Sequence, residues 1–297
     1  PQVDLVHSLR IETVRYDYDN NTLTGNTRDD GTACGFGGCL YSRPADRTDR
    51  FTDLAGRLGA EYQATADTRF WLTGGIGFRA PQTTELYRLQ SGQQVTDLDS
   101  ESLRSLEIGM QTGQEGLQLG ITAFAERKKD EVLRDSNGFN ISAGRTRAEG
   151  IELGLTWSPI ERHSFDLAAT WARHRYDFSR VLAGGETITS GNDVDTAPRW
   201  MGSAHWLWTP LADVTTELEA VYLDDYYVNA ENTAKYAGHL LFNLRADWQF
   251  RANAKLSLRL LNLTDTRHAD RADFAFGNYR YFPGQPRRAH VALEIAI

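Results

Sequence analysis

Aromatic and cationic side chains are concentrated in the segments between strand-like stretches, where they could bind a flat or anionic ligand. The segment before the last such stretch carries Phe274, Phe276, Tyr279, Arg280 and Tyr281. Aromatic faces stack on planar groups, and guanidinium groups pair with oxyanions. We therefore predict ligand contacts here, with loop packing as the alternative. Further candidates of the same kind are Arg79, Tyr87, Arg88, Arg134, Asn137, Tyr226, Tyr227 and Asn232.

The chain has two cysteines, Cys34 and Cys39, which enclose four residues, three of them glycine. Such a flexible segment lets the two sulfur atoms meet, so we predict a disulfide that closes a long loop in an oxidising compartment. Half of a metal site made of thiolates is the alternative. No histidine lies near, since His7 is the closest in sequence.

The sequence shows no arrangement typical of a catalytic centre. The seven histidines have no metal-ligand spacing. Asp270, Arg271 and Asp273 could pair two carboxylates with a cation, but such groups in polar loops are usually solvated. The glycine-rich segment between the cysteines is not followed by the Lys and Ser/Thr of a phosphate-binding loop. We predict that the chain is not an enzyme and binds neither a cofactor nor a metal ion.

Composition narrows the class of protein. The formal net charge of −8 disfavours nucleic acid as a partner, because phosphate backbones need a basic surface. The sequence contains no run of about 18 uncharged apolar residues, which excludes a membrane-spanning helix. Hydrophobic content is 40% and mean hydropathy is −0.49. These values remain compatible with a membrane barrel, whose lumen and loops are polar.

The elements that carry the candidate residues have the pattern of strands. Apolar and polar residues alternate, as in Leu117, Leu119 and Ile121 against Gln118 and Thr122, which sends them to opposite faces of a sheet. Short turns and long loops also alternate, so an antiparallel meander places every long loop at one edge. The predicted strands are 3–18, 51–64, 68–79, 101–114, 117–132, 140–157, 163–177, 199–209, 213–225, 236–250, 255–265 and 286–297.

Tight turns at one edge and long loops at the other are typical of an all-β transmembrane barrel. If the apolar face contacts lipid, the inner face is charged and polar. Trp157, Trp208, Trp248 and Phe250 fall near the short turns, as an aromatic belt at one membrane interface would. The predicted inner-face residues are Glu107, Gln111, Glu152, Glu217, Glu219, Arg245 and Arg259.

Six phrases occur in the order found in one known family. Together they resemble the C-terminal β-barrel part of TonB-dependent outer-membrane receptors, from about residue 51 to the end of the chain. The phrases are Gly77–Pro81 with Glu85–Tyr87, Leu103–Gly109, Gly150–Leu153, Ala197–Arg199, Leu261–Asp265 and Tyr281–Arg287.

The resemblance implies a 22-stranded antiparallel barrel, filled by an N-terminal plug that carries the box bound by the protein TonB. We expect residues 1–297 to be the C-terminal portion of such a barrel, its last twelve strands, with the plug and the early strands absent. For Arg79 and Tyr87, which lie in a family-like phrase, a shared structural role is the alternative to ligand contact.

The resemblance also implies active import of a bulky, scarce nutrient across the bacterial outer membrane, with a ferric siderophore as the leading expectation. The implied partners are outer-membrane lipid, TonB and the siderophore, and no nucleic acid. A passive twelve-stranded pore or a surface enzyme is the alternative, and pairing of the first strand with the last would support it.

Overall fold

The computed structural model describes residues 2–21, 27, 30–34, 41–90, 92–135, 137–275 and 277–296. Twelve of its strands form one antiparallel sheet in which each strand pairs with the next in sequence. This confirms the predicted all-β meander. The strands are β1 Gln2–Tyr18, β2 Arg47–Gln63, β3 Thr68–Arg79, β4 Glu101–Gln114, β5 Leu117–Arg134, β6 Asn140–Ile160, β7 His163–Tyr176, β8 Trp200–Leu211, β9 Val214–Leu223, β10 His239–Arg251, β11 Ala254–Leu261 and β12 Arg288–Ile295.

Short and long connections alternate as predicted. The short turns are 64–67, 115–116, 161–162, 212–213 and 252–253, and the long loops are 19–46, 80–100, 135–139, 177–199, 224–238 and 262–287. The largest extensions beyond the predicted bounds are in β2 and β6. Strand β2 begins at Arg47, which pairs with Tyr18, and β6 continues past an irregularity to Ile160, which pairs with His163.

The register brings the main apolar set of each of the twelve strands to one face, which we call the outer face. Ile108 of β4, for example, lies between Leu72 of β3 and Ala123 of β5. Ile108 is 58% exposed and Leu106 is 55% exposed. A continuous apolar surface of this extent is unfavourable in water and is the surface that a membrane barrel presents to lipid.

The opposite, inner face carries all seven predicted polar residues, because each is offset by one position from the apolar set. Two of these carboxylates have polar partners on a neighbouring strand. Asn243 Nδ2 donates to Glu219 Oε2 at 2.7 Å, and His205 Nδ1 lies 2.9 Å from Glu217 Oε1. These contacts lower the cost of placing charges on a shared surface.

Aromatic side chains mark both ends of the outer face. The predicted belt residues near the short turns are exposed: Trp157, Trp208, Trp248 and Phe250. Trp248 Nε1 donates to Asp213 Oδ2 in a turn at 3.0 Å, which suits a ring with one apolar and one hydrated end. Near the long loops, the rings of Trp171 and Trp200 pack 6.5 Å apart.

The sheet is open within the described residues. Its order runs from β1 to β12, and these two edge strands are not hydrogen-bonded to each other. Leu5 and Leu9 of β1 are 74% and 73% exposed, and Val291 of β12 is 70% exposed. A closed barrel would pair its first and last strands. The alternative of a twelve-stranded pore is therefore not supported.

The long loops contain small elements that the sequence did not reveal. Helix α1 spans Thr83–Tyr87. Four antiparallel ladders pair Tyr41–Ser42 with Leu89–Gln90, Arg180–Val181 with Thr187–Ile188, Tyr226–Tyr227 with Lys235–Tyr236, and Ala269–Ala275 with Asn278–Pro283. Among the residues that the structure describes, no helix is long and apolar enough to cross a membrane.

Candidate functional site

The long-loop edge of the sheet holds the clusters of buried apolar side chains, so its loops are packed on one another. One cluster joins α1 to β1 and β2 and a second lies beneath loop 177–199, while a third joins loop 224–238 to the last loop. A ligand approaching this edge meets a preorganised surface. The buried members are Leu86, Tyr87 and Leu98; Tyr176, Phe178, Ile188 and Ala230; and Tyr226, Val228, Ala234, Tyr236, Ala269 and Ala272.

Arg79 occupies the centre of an ionic lock at the base of α1. Its guanidinium donates to Glu101 at 2.6 and 2.9 Å and to Glu85 at 3.0 and 3.1 Å. Glu85 also accepts the backbone N–H of Gln82, where α1 begins. Because two bidentate pairs engage the fork, the geometry favours the structural role for Arg79.

Tyr87 is buried at the end of α1. Its ring stacks on Tyr18 with centroids 4.3 Å apart and planes 7° apart, and its hydroxyl donates to Asp49 Oδ2 at 2.9 Å. Burial and the Asp49 carboxylate raise the pKa of the phenol well above its usual value. Both the face and the hydroxyl of Tyr87 therefore serve packing. Arg88, the C-cap residue of α1, is exposed.

Asn232 joins two long loops. Its Nδ2 donates to the backbone oxygen of Asp193 at 2.8 Å, and its Oδ1 accepts the Asp193 N–H at 2.8 Å. The backbone of Asn232 has a φ of +58°, which asparagine tolerates better than most residues. The Asp193 carboxylate in turn contacts Arg173 at 3.3 Å and Arg199 at 2.7 Å. The Asn232 side chain therefore links loop 224–238 to loop 177–199.

Two tyrosines fasten the last loop to loop 224–238. The hydroxyl of Tyr226 accepts the N–H of Ala272 at 3.1 Å, and the hydroxyl of Tyr236 accepts the N–H of Ala269 at 3.0 Å. Both tyrosines are buried, with rings 5.3 Å apart. Tyr226, a sequence candidate for ligand contact, thus has a packing role in this structure.

Two carboxylates tie loop 177–199 to loop 224–238. Glu186 Oε1 accepts the N–H of Ala230 at 2.7 Å, and Glu231 Oε1 accepts the N–H of Thr187 at 2.9 Å. Burial of Glu186 raises its pKa, and the neighbouring carboxylates of Asp195 and Glu231 raise it further. An anionic ligand is disfavoured beside these groups.

Three other candidates are accessible at the same edge. Arg134 and Asn137 are exposed at loop 135–139. Tyr227 is half-buried, and the ammonium of Lys235 lies 4.6 Å from its ring centroid, a cation–π contact. Their contact with a ligand stays a prediction.

The hairpin of Ala269–Ala275 and Asn278–Pro283, which we call the final hairpin, presents the most open aromatic surface among the predicted candidates. The rings of Tyr279 and Tyr281 lie parallel, 5.9 Å apart with planes at 3°, and are 44% and 54% exposed. Phe274 supports Tyr279 edge-on at 5.4 Å. Arg280 Nε donates to Asp273 Oδ1 at 2.6 Å and stays half exposed. Phe276 lies outside the described residues.

Sequence reasoning missed a second exposed aromatic group, Phe282 with Arg271, on the opposite face of the final hairpin from Tyr279 and Tyr281. Phe282 is 52% exposed, and the Arg271 guanidinium lies 5.6 Å from its ring centroid. Phe282 directly follows Tyr281, so strand alternation predicts it on the opposite face, where its residue type alone could have marked it as a candidate. The anchors Asp49, which is buried, and Asp193, which is partly buried, carry no such signal, because the side chains they hold, Tyr87 and Asn232, are distant in sequence.

The cysteine and metal predictions have different outcomes. Cys34 is disulfide-bonded in the structure. Cys39, the other cysteine of the chain, lies outside the described residues, so the Cys34–Cys39 pairing stays a prediction. Within the described part of the chain, no group of three or more His, Cys, Asp or Glu residues is placed to hold a metal ion.

Comparison with known families identifies the class of protein to which this sheet belongs. The family model described as TonB dependent receptor-like, beta-barrel, matches residues 1–263. The chain belongs to the TonB-dependent receptor family. This receptor barrel belongs to a family of bacterial outer-membrane transporters, which are not enzymes.

Relatives of the receptor barrel are distant and longer. A probable TonB-dependent siderophore receptor, PiuA of Acinetobacter baumannii, is 25% identical over 187 residues, which cover 59% of this chain and 24% of PiuA. The vitamin B12 transporter BtuB of Photobacterium profundum is 22% identical over 249 residues, which cover 81% of this chain and 38% of BtuB.

The fold of the receptor barrel matches solved structures. The closed form of the ferric-catecholate import receptor Fiu of E. coli K12 has a TM-score of 0.77 at 18% identity, with 99% of this chain and 42% of Fiu covered. The chain thus spans less than half the length of the relatives it matches.

Residues of the family-like phrases stabilise the junctions between the sheet of the receptor barrel and its long loops. The first of them contains Arg79 and Glu85 of the lock at α1, and Tyr87, whose hydroxyl donates to Asp49. Another contains Asn262, whose Nδ2 donates to the backbone oxygen of Thr266 at 2.9 Å. Such contacts fix where a loop leaves the sheet and leave the loop tip free to differ.

Proposed function

We propose that the whole protein is a TonB-dependent transporter that imports a bulky, scarce nutrient through the outer membrane, with a ferric siderophore as its cargo. The observation that carries the proposal is the final hairpin, which is packed on the neighbouring loop: one face presents the stacked, exposed Tyr279 and Tyr281, and the other face carries Arg271 and Arg280. Flat rings and cations suit the aromatic groups and oxyanions of such chelates. PiuA and Fiu are both named as receptors in iron acquisition.

Residues 1–297 form the C-terminal part of the barrel in this proposal. Its remaining strands pair with the free edges of β1 and β12, and an N-terminal plug with a TonB box fills the lumen. The apolar outer face contacts outer-membrane lipid, and the inner face contacts the plug and the passing cargo. Because such barrels have short periplasmic turns and longer outer loops, the six long loops lie outside the cell.

Uptake by the full-length protein tests the proposal. Cells that express it as their sole siderophore receptor are given radioactive iron as a ferric siderophore, with TonB present or deleted. We expect uptake with TonB and only the background of receptor-free cells without it, because import against a gradient needs energy coupling. Uptake that persists unchanged without TonB contradicts energised import, and competition of that uptake by vitamin B12 would reassign the cargo.

A further inference from the structure

The inner face contains an apolar recess directly below loop 177–199. Its floor consists of two rows of cross-strand partners that are adjacent on the inner face of β5, β6 and β7. Lys128, Thr146 and Tyr176 form the row next to the loops, and Ala148 and His174 belong to the row below it. Both rows lie on the polar face of the sheet, so an apolar recess is unexpected there.

The walls of the recess come from the loop and from the end of β5. Phe178, Leu182, Ile188 and Val194 of the loop line it, together with Val132 and Leu133. The loop is held over the floor by the N–H of Val194, which donates to the backbone oxygen of His174 at 3.0 Å. The recess is open on one side and has a volume of about 380 Å³.

This volume is suitable for part of a small molecule. A cavity of about 150 Å³ lined by apolar side chains admits benzene, and ligand pockets range from about 300 to 1,000 Å³. The recess therefore has room for an aromatic ring with its substituents but is too small for a whole bulky chelate. It also lies at the long-loop end of the sheet, where a ligand arrives.

The floor offers polar atoms in the positions that a substituted ring needs. His174 Nδ1 is buried and has no hydrogen-bond partner among the described residues. Ala148 of β6 lies between Glu126 of β5 and His174 of β7. The backbones of Glu126 and His174 are therefore two strand spacings, about 10 Å, apart. The small Ala148 side chain leaves that gap open. An unpaired buried imidazole nitrogen is costly, and a ligand atom could satisfy it.

The charges around the recess favour a neutral guest. Glu126 and Glu131 line it with one ammonium, Lys128. That ammonium is already engaged, at 2.9 Å from Glu131 and 3.4 Å from Glu101. A carboxylate placed here meets two like charges and a compensated cation.

We propose that this recess is a subsite for an uncharged aryl arm of the transported ligand, with a hydroxyl or N–H of the arm hydrogen-bonded to His174 Nδ1. The inference rests on the proposed function for the identity of the ligand but not for the binding of an aryl group. Loop 177–199 forms the lid of the subsite, and the Ala148 side chain sets its depth.

Fluorine NMR with the full-length receptor in lipid nanodiscs tests the subsite, with 4-fluorophenol as the probe. We expect saturable binding that weakens at least about ten-fold in Ala148→Leu, because the larger side chain fills the floor. Ala168→Leu is the matched control: it places the same side chain at an exposed position on the inner face, outside the recess, and binding should not change. Heat-modified gel migration verifies that each variant forms its barrel.

His174→Phe gives a second, independent readout. The wild type should bind 4-fluorophenol more tightly than 4-fluoroanisole, which lacks the hydroxyl, and the variant should lose this preference. 4-Fluorobenzoate should bind more weakly than 4-fluorophenol. Equal binding of 4-fluorophenol by the wild type and by Ala148→Leu refutes the subsite. The absence of saturable binding also refutes it, as would happen if another segment of the whole receptor fills the recess. Siderophore uptake is measured separately. Failure of the probe-binding test therefore leaves the transport proposal standing, and failure of the uptake test leaves the aryl subsite standing.

Discussion

Replacing Arg79 with alanine is expected to free α1 from the wall of the barrel. Glu101, which is only 6% exposed in the intact lock, would lose both of its bonds to the guanidinium, and Glu85 would lose its link to the strand. Removing one partner of a buried pair costs about 3–5 kcal/mol. Because Arg79 is 37% exposed, we discount this to about 1–3 kcal/mol of local stability.

Hydrogen exchange in the full-length receptor measures this effect. In R79A, the amides of loop 80–100, such as Leu86 N–H bonded to Gln82 O, should lose about one to two orders of magnitude of protection. Arg69→Ala is the matched control, since it removes an arginine from the other end of β3 that binds exposed partners. Unchanged exchange in R79A would show that the lock does not hold α1 and would return Arg79 to the ligand candidates.

Removing both rings of the exposed tyrosine pair should weaken ligand binding more than any other change in the final hairpin. Each aromatic contact contributes about 0.5–1.5 kcal/mol beyond area burial, so Tyr279→Ala with Tyr281→Ala should lower affinity by roughly 5- to 150-fold. The hairpin itself should persist, because Ala272 and Phe274 anchor it to the neighbouring loop. Binding of the ferric siderophore to purified receptor, followed by tryptophan fluorescence, is the measurement.

Two comparisons separate stacking from other effects of the tyrosine pair. Phenylalanine at both positions keeps the faces and should keep most of the affinity. Tyr222→Ala removes a tyrosine of similar exposure, 43%, from the outer face, where its hydroxyl donates to Asp224, and should have no effect. If the double alanine variant binds as the wild type does, the final hairpin is not the ligand surface.

The strands were predictable because their signal is local. Leu117, Leu119 and Ile121 alternate with polar residues whatever lies on the neighbouring strand, and the register then extends one apolar face over the sheet. Charges on the other face follow from the same parity. Sequence periodicity does not encode α1 or the two-residue ladders, since each is too short to contain two full repeats of the pattern that would reveal it.

The candidate site was predictable only as a region. Tyr87 and Tyr281 both lie in long loops, yet the first is buried against Tyr18 and the second is half exposed. Packing and ligand binding use the same flat faces, so residue type does not separate them. What separates them is a partner such as Asp49 or Asp193, which lies tens of residues away and is brought near only by the fold.

The orientation of a single strand across the outer membrane is the most direct test of the proposed receptor wall. Strand β5 runs from a turn that contains the exposed Glu115 to a loop that contains the exposed Asn137. Single cysteines are placed at these sites in full-length receptor whose native cysteines are changed to serine. A membrane-impermeant maleimide on intact cells should label Asn137→Cys at once and Glu115→Cys only after the outer membrane is opened. Labelling of Glu115→Cys alone, or of both sites in intact cells, would contradict a receptor wall that presents its long loops to the outside.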